Sequence, residues 1–280
     1  MVARSKSCDG IRVSDGVRAD SGFLVPGEAN RVAAYVRAGG VTALIVTLAT
    51  VASVAAQQAS ALRVDDPRPL AAMVRMLEQR HGWIVTYEDP PYLFAGDWQD
   101  VTGAVRRDGK FENRVLIPAG GPFTFEYAGR GASDSAAMLT ALLSAYHASG
   151  YPGEFRLVRT EREGVFHIRP ARSRTADGTL SRRQSLLEVD VQFAGENRNG
   201  LAALQDILAF VGKARKVRLI LGTVPVRLLA QATISPPRRS EQAAEAILRI
   251  LEATGHTLSW QLFCDPGVSG VCALNIHQVQ

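Results

Sequence analysis

Cys264 and Cys272 stand on either side of the turn sequence DPGVSGV, a spacing that sets them opposite one another on a closing hairpin. Opposed positions bring Cα atoms within about 5.5 Å, inside the reach of a disulfide. Closing so short a loop contributes about 2–3 kcal/mol on the chain-entropy estimate. The competing chemistry is zinc, with His256 and His277 as the other ligands. It is disfavoured by spacing: His277 lies five residues past Cys272, on the other face of the strand, and His256 lies eight residues before Cys264. The same distances disfavour a Cys/His nucleophile pair. Cys8 belongs to the N-terminal extension. The carboxylates Glu88, Asp89, Asp97 and Asp100 lack the ligand spacing and central glycine of a calcium loop. Gly129, Arg130 and Gly131 before Ser133 could cradle an anion at a helix start, but no Lys-Ser/Thr of a phosphate loop follows. HExxH, GxSxG and Walker A motifs are absent. His81, His147 and His256 fall at helix C-terminal ends, where the helix dipole suits an imidazolium. No cofactor or metal is expected.

These residues hang on a pattern that occurs twice. Residues 62–172 and 186–280 each show an extended apolar stretch, an amphipathic helix, two strands, a second helix and a final hairpin. Leu70, Met73, Val74 and Leu77 repeat at i, i+3, i+4 and i+7 before Gly82. In the second half Leu201, Leu204, Leu208 and Val211 follow Asn197 or Asn199 as the cap and end near Lys213 to Lys216. Alternation at Trp83, Val85 and Tyr87, and at Val217, Leu219 and Leu221, predicts the next strands. Ser133 and Ser240 are the expected N-caps of the second helices, whose apolar faces run Met138, Leu139, Leu142, Tyr146 and Ala244, Ile247, Leu248, Leu251. Gly150 and Gly255 end them. The strands that follow are expected at 154–159 with 165–169, and at 257–263 with 273–277.

The first half carries an insertion at 95–122, and Tyr92, Phe94 and Trp98 beside it form a candidate aromatic surface for a partner or an edge of the core. Residues 173–185 read as a linker between the units. With the residues before them they collect Arg169, Arg172, Arg174, Arg182 and Arg183 against Asp177, in a stretch without apolar period. Much of the net charge of +5 sits there, and no aromatics interleave for base stacking, so nucleic acid is not an expected partner. Residues 1–61 form an N-terminal extension. Within it the apolar run 41–56 follows Arg31 and Arg37 and precedes two small-residue sites, Val54, Ala55, Ala56 and Ala59, Ser60, Ala61. That is the order of a signal peptide, preceded here by about 40 polar residues that suggest a later start. The alternative is an uncleaved membrane anchor, since about 16 apolar residues is a short span.

The segment PLAAMVRMLEQRHGWIVTYEDP and, more closely, SEQAAEAILRILEATGHTLSWQLF with ALNI resemble the short N-terminal domain (STN) of secretins and TonB-dependent receptors. The resemblance covers the second half and both ends of the first. It implies an envelope module that docks to partner proteins. Duplication of the unit and the lack of a following barrel or secretin core depart from the family, although the arrangement also resembles exported bacterial proteins.

The expected architecture is therefore α+β, a tandem of two small βαββαββ units with two helices packed on each small sheet. The expected protein is exported, periplasmic or secreted, and binds another envelope protein noncovalently through sheet edges and the long insertion, with no catalysis. Its membrane contact is limited to residues 41–56 if they are retained, and its oligomeric state is open. Two alternatives stand beside this: an envelope hydrolase with Glu88 and Asp89 in a cleft between the units, and a peptide- or glycan-binding module using Tyr92, Phe94 and an exposed Trp98.

Overall fold

The computed structural model describes residues 59–105, 114–128, 134–192, 197–235, 240–268 and 270–280. The apolar run 41–56, its first cleavage site, Cys8, the glycine loop 129–131 and Ser133 lie outside the described residues. The second cleavage site does not: Ala59 already pairs with Ala128, so a cut after Ala61 would remove the start of a strand.

The first half begins with β1 (Ala59–Asp66), α1 (Pro69–His81) and β2 (Ile84–Glu88). Pro69 opens α1, Leu70, Met73, Val74 and Leu77 are completely buried, and Gly82 (φ +71°) closes it by donating its N–H to the Glu78 carbonyl. The described residues of the insertion form β3 (Trp98–Asp100), α2 (Thr102–Val105) and β4 (Leu116–Pro118), β3 and β4 making a small antiparallel pair. Then come β5 (Gly121–Ala128), α3 (Ser135–Ala148), β6 (Glu154–Arg159) and β7 (Val165–Arg174). Asp134 caps α3 by accepting from the Ala137 N–H at 3.0 Å. β1 and β5 pair along their whole length and, with α1 and α3, close a core around Phe123, Phe125, Leu139 and Leu142.

The residues read as a linker form the end of β7 and β8 (Leu180–Arg182), which folds back on it. Apolar periodicity misses this hairpin because its side chains are satisfied by distant acids: Arg169 meets Glu188, Arg172 meets Glu154 and Arg174 meets Asp97.

The second half comprises β9 (Asp190–Val191), β10 (Arg198–Asn199), α4 (Gly200–Arg215), β11 (Arg218–Leu221), α5 (Val226–Gln231), β12 (Thr233–Ile234), β13 (Glu241–Gln242), α6 (Ala243–Glu252), β14 (Leu258–Cys264) and β15 (Val271–Gln278). Asn199 caps α4 through the Ala202 N–H at 2.8 Å, and Lys216 (φ +55°) ends it where the first half uses Gly82. Ser240 is not the cap of α6. Residues 241–242 pair with β9, which delays the helix to Ala243, and the carbonyls of Val189 and Leu187 take its first N–H groups. The pairs β10·β12 and β9·β13 fall on one antiparallel register, the counterpart of β1·β5.

The halves do not keep separate sheets. Their strands join in one sheet of order β11-β15-β14-β2-β7-β6, with β8 beside β7. Each half contributes the same triplet: β2 is parallel to β7 and β6 antiparallel to it, as β11 is parallel to β15 and β14 antiparallel to it. The seam is a parallel pairing of β14 with β2, Gln261 opposite Tyr87 and Leu262 opposite Glu88. Val85, Tyr87, Phe166 and Ile168 belong to the first core, whereas their neighbours Ile84 and Val165 pack on the second. Because successive strand residues face opposite ways, α1 and α3 cover one face of the sheet and α4 and α6 the other. The two triplets are thus related by a half turn about the line that crosses the strands, combined with a shift of three strands.

Candidate functional site

The seam carries the densest buried chemistry. Asp89, at the end of β2, is 1% exposed and accepts four hydrogen bonds. Its Oδ1 takes the hydroxyls of Tyr87 (2.8 Å) and Tyr92 (2.9 Å), and its Oδ2 takes Arg68 Nε (2.7 Å) and the Cys264 N–H (3.0 Å). Arg68 also donates to the Cys264 carbonyl and lies over the Phe263 ring, so one carboxylate and one guanidinium tie the first half to the last hairpin. Glu88 faces the other side, accepting from Ser185 Oγ (2.5 Å) and the Leu186 N–H (2.6 Å). Burial pushes its carboxyl up to about 7, against the opposing pull of those two bonds and of Arg169.

A second link runs through Thr86, His167 and Glu245: Thr86 Oγ1 is 2.5 Å from His167 Nδ1, and His167 Nε2 is 3.0 Å from Glu245 Oε1. Burial keeps His167 below the ordinary imidazole value, so the neutral ring donates from Nε2 to the carboxylate and accepts the threonine hydroxyl at Nδ1. The order is that of a nucleophile, base and acid, but Thr86 is 0% exposed and no substrate reaches it. A third link is His277 Nε2 with Glu78 Oε2 at 2.7 Å.

Beside the seam lies a cavity of about 250 Å³, lined by Glu88, Asp89, Tyr92, Arg183, Leu186 and the disulfide hairpin. Cys264 and Cys272 are joined across directly opposed positions, Cα atoms 4.0 Å apart. Both half-cystines are buried in the second core while His277 points to α1 on the other face, which separates His277 from the two cysteines of the zinc alternative. Among the described residues no cluster of three His, Cys, Asp or Glu could hold a metal. Unfolding under reductant should lower stability by about 2–3 kcal/mol relative to the oxidised protein, and Cys264→Ser with Cys272→Ser should abolish that difference. Equal urea midpoints with and without reductant in the unmutated protein would contradict a formed disulfide.

The remaining expected site residues are dispersed. Asp97 pairs with Arg174, and Asp100 with Thr102 and Arg114. Tyr92, Phe94 and Trp98 do not make one exposed patch: all three are half-buried, Tyr92 turned to Asp89, Phe94 beneath Arg174 and Trp98 beneath Arg114. Trp98 is therefore not the exposed ring that the glycan reading requires. His147 holds the Phe155 N–H at the outer edge of β6. Sequence reasoning missed Arg68, Ser185 and the Thr86–His167–Glu245 link: Ser185 lies 97 residues from Glu88, and Arg68 lies 196 residues from Cys264. The exposed large apolar side chains include Phe210, Ile220 and Val226, on α4, β11 and α5. Among the described residues β11 pairs with one strand, β15, and β6 with one strand, β7. Among the described residues no helix is long and apolar enough to cross a membrane.

The chain matches no family model, no curated protein and no solved structure.

Proposed function

We propose that this is an exported cell-envelope protein of two STN-like units that works by noncovalent binding, adding a strand of a protein partner to an open edge of its sheet. The observation that carries the reading is β11: a terminal strand whose Ile220 is 38% exposed, with exposed Val226 close behind it in sequence. Unpaired backbone donors and acceptors on such an edge supply affinity, and side chains beside them supply selectivity. Two things support the periplasmic or secreted compartment, the disulfide hairpin and the signal-like order of residues 41–56. Ile220→Lys puts a charge on the edge without touching either core. Immobilised wild-type protein should retain a partner from envelope extracts that this variant retains roughly tenfold less well. Retention that is unchanged by the substitution sinks the edge reading.

One observation favours the hydrolase alternative: Glu88 holds its proton toward neutral pH and lines the cavity. Against it, Glu88 and Asp89 are each 1% exposed, and every carboxylate oxygen of the pair already accepts from the protein. They suit a clamp between halves better than a catalytic pair.

A further inference from the structure

We infer that the partner for the open edges is a second copy of this chain: β6 of one molecule pairs in parallel with β11 of the next, repeating between molecules the seam that joins the two halves. The inference rests on the edge-binding reading above and names its partner.

The seam is heterologous, since the middle strand of one triplet, β14, meets the first strand of the other, β2. A pairing of unlike edges does not close on itself; it leaves one edge of each kind free at the two ends. Those ends are β6, the counterpart of β14, and β11, the counterpart of β2. Strand directions agree. β14 and β2 run together, and the half turn that relates the triplets reverses both, so β6 and a neighbouring β11 also run together. Repeating a half turn and a shift of about 14 Å, three strand spacings, brings helices alternately to either face without collision of like layers.

The register follows from the internal pairs. Leu221 stands opposite Leu274 as Tyr87 stands opposite Ile168, and Leu262 opposite Leu274 as Leu157 opposite Ile168. Tyr87 therefore corresponds to Leu221, and Leu262 to Leu157. The seam pairs Gln261 with Tyr87 and Leu262 with Glu88, which translates to Arg156 opposite Leu221 and Leu157 opposite Gly222 of the next molecule. On β14 the groups turned to β2 include the Leu262 carbonyl and the Cys264 N–H; their counterparts on β6 belong to Leu157 and Arg159.

A second observation concerns the helices. At the seam α1 overhangs β14, and Gln261 Nε2 donates to the Ala71 carbonyl, burying both residues. Aligning the helix ends at Gly82 and Lys216 makes Gln205 the counterpart of Ala71, as Arg156 is of Gln261. Gln205 and Arg156 are both exposed, the Arg156 guanidinium resting on Glu188 of its own molecule. The same overhang thus stands uncovered at each end. Glu88 and Asp89 have Gly222 and Thr223 as counterparts, and the Thr223 N–H, counterpart of the Asp89 N–H that bonds the Leu262 carbonyl, is held by Asn275 Oδ1 and must be released to repeat that bond; the outer pairing also lacks the carboxylate clamp, so it should be weaker and reversible.

Two full-length proteins, one carrying Arg156→Cys and one Leu221→Cys, are mixed under mild oxidation in nonionic detergent, which keeps residues 41–56 from associating. Opposed parallel positions lie within disulfide reach. The mixture should give a cross-linked heterodimer at least tenfold above the dimer formed by either protein alone, and adding Arg159→Pro to the first should remove it. In sedimentation, the weight-average mass of unmodified protein should rise with concentration and stay constant for Arg159→Pro. Absence of the heterodimer together with a constant mass overturns the proposal, as does equal dimer from Leu221→Cys alone, which would mean a closed β11–β11 pair. If Ile220→Lys still loses its envelope partner while no cross-link forms, self-pairing fails and edge binding stands.

Discussion

Asp89→Ala is expected to cost about 3–5 kcal/mol of folding stability, the range for removing one partner of a buried ion pair. Four donors would lose their acceptor together: the Arg68 guanidinium, two tyrosine hydroxyls and the Cys264 N–H. The loss falls on the seam itself, since Asp89 and Cys264 belong to different halves of the sheet. Urea unfolding of the wild type should be one transition, because β14 and β2 share hydrogen bonds and each core includes strands of the other half. In Asp89→Ala the midpoint should fall, and the second half should begin to unfold apart from the first. Arg68→Met in the Asp89→Ala background should recover part of the loss, as removing an uncompensated charge relieves its desolvation. A cost under about 1 kcal/mol would mean that the carboxylate is no clamp.

Glu88→Gln should act in the opposite direction and only at higher pH. A carboxyl raised from 4.5 to about 7 binds its proton more tightly in the folded chain than in the unfolded one. Its contribution is therefore fully present below about pH 4.5 and is lost as pH rises through 7. The displacement corresponds to roughly 3 kcal/mol. Glutamine stays neutral throughout, can accept from the Leu186 N–H and can donate to Ser185 Oγ. The variant should match the wild type near pH 4.5 and exceed it by up to roughly 3 kcal/mol at pH 8. Parallel stability curves for the two proteins from pH 4.5 to 8 would remove the buried-acid reading of Glu88. The hydrolase alternative predicts instead that this substitution abolishes an activity.

Much of the fold is legible along the chain. Helix faces such as Leu70, Met73, Val74 and Leu77, or Ile247, Leu248 and Leu251, are set by a 3.6-residue period that needs no tertiary information. Asn199 and Gly82 mark helix ends by local backbone chemistry. Little of the site is legible. Glu88 and Asp89 are conspicuous as carboxylates, but their partners Ser185, Arg68 and Cys264 are too far away in sequence for spacing to suggest them. Ser240 misleads because backbone carbonyls of the turn before β9, not a side chain, supply the acceptors at the start of α6.

The sequence by itself determined the repeated order of strands and helices, the buried face of each helix and the opposition of Cys264 and Cys272. Only the tertiary structure decided that the two sheets become one. Thr86, His167, Ser259 and Gln261 alternate with apolar neighbours and so carry the signature of a solvent face, yet all four are buried. Alternation reports polarity and not exposure. Polar side chains that find partners on the helices of the other half, as His167 does on Glu245 and Gln261 on Ala71, are covered without leaving a trace in the pattern.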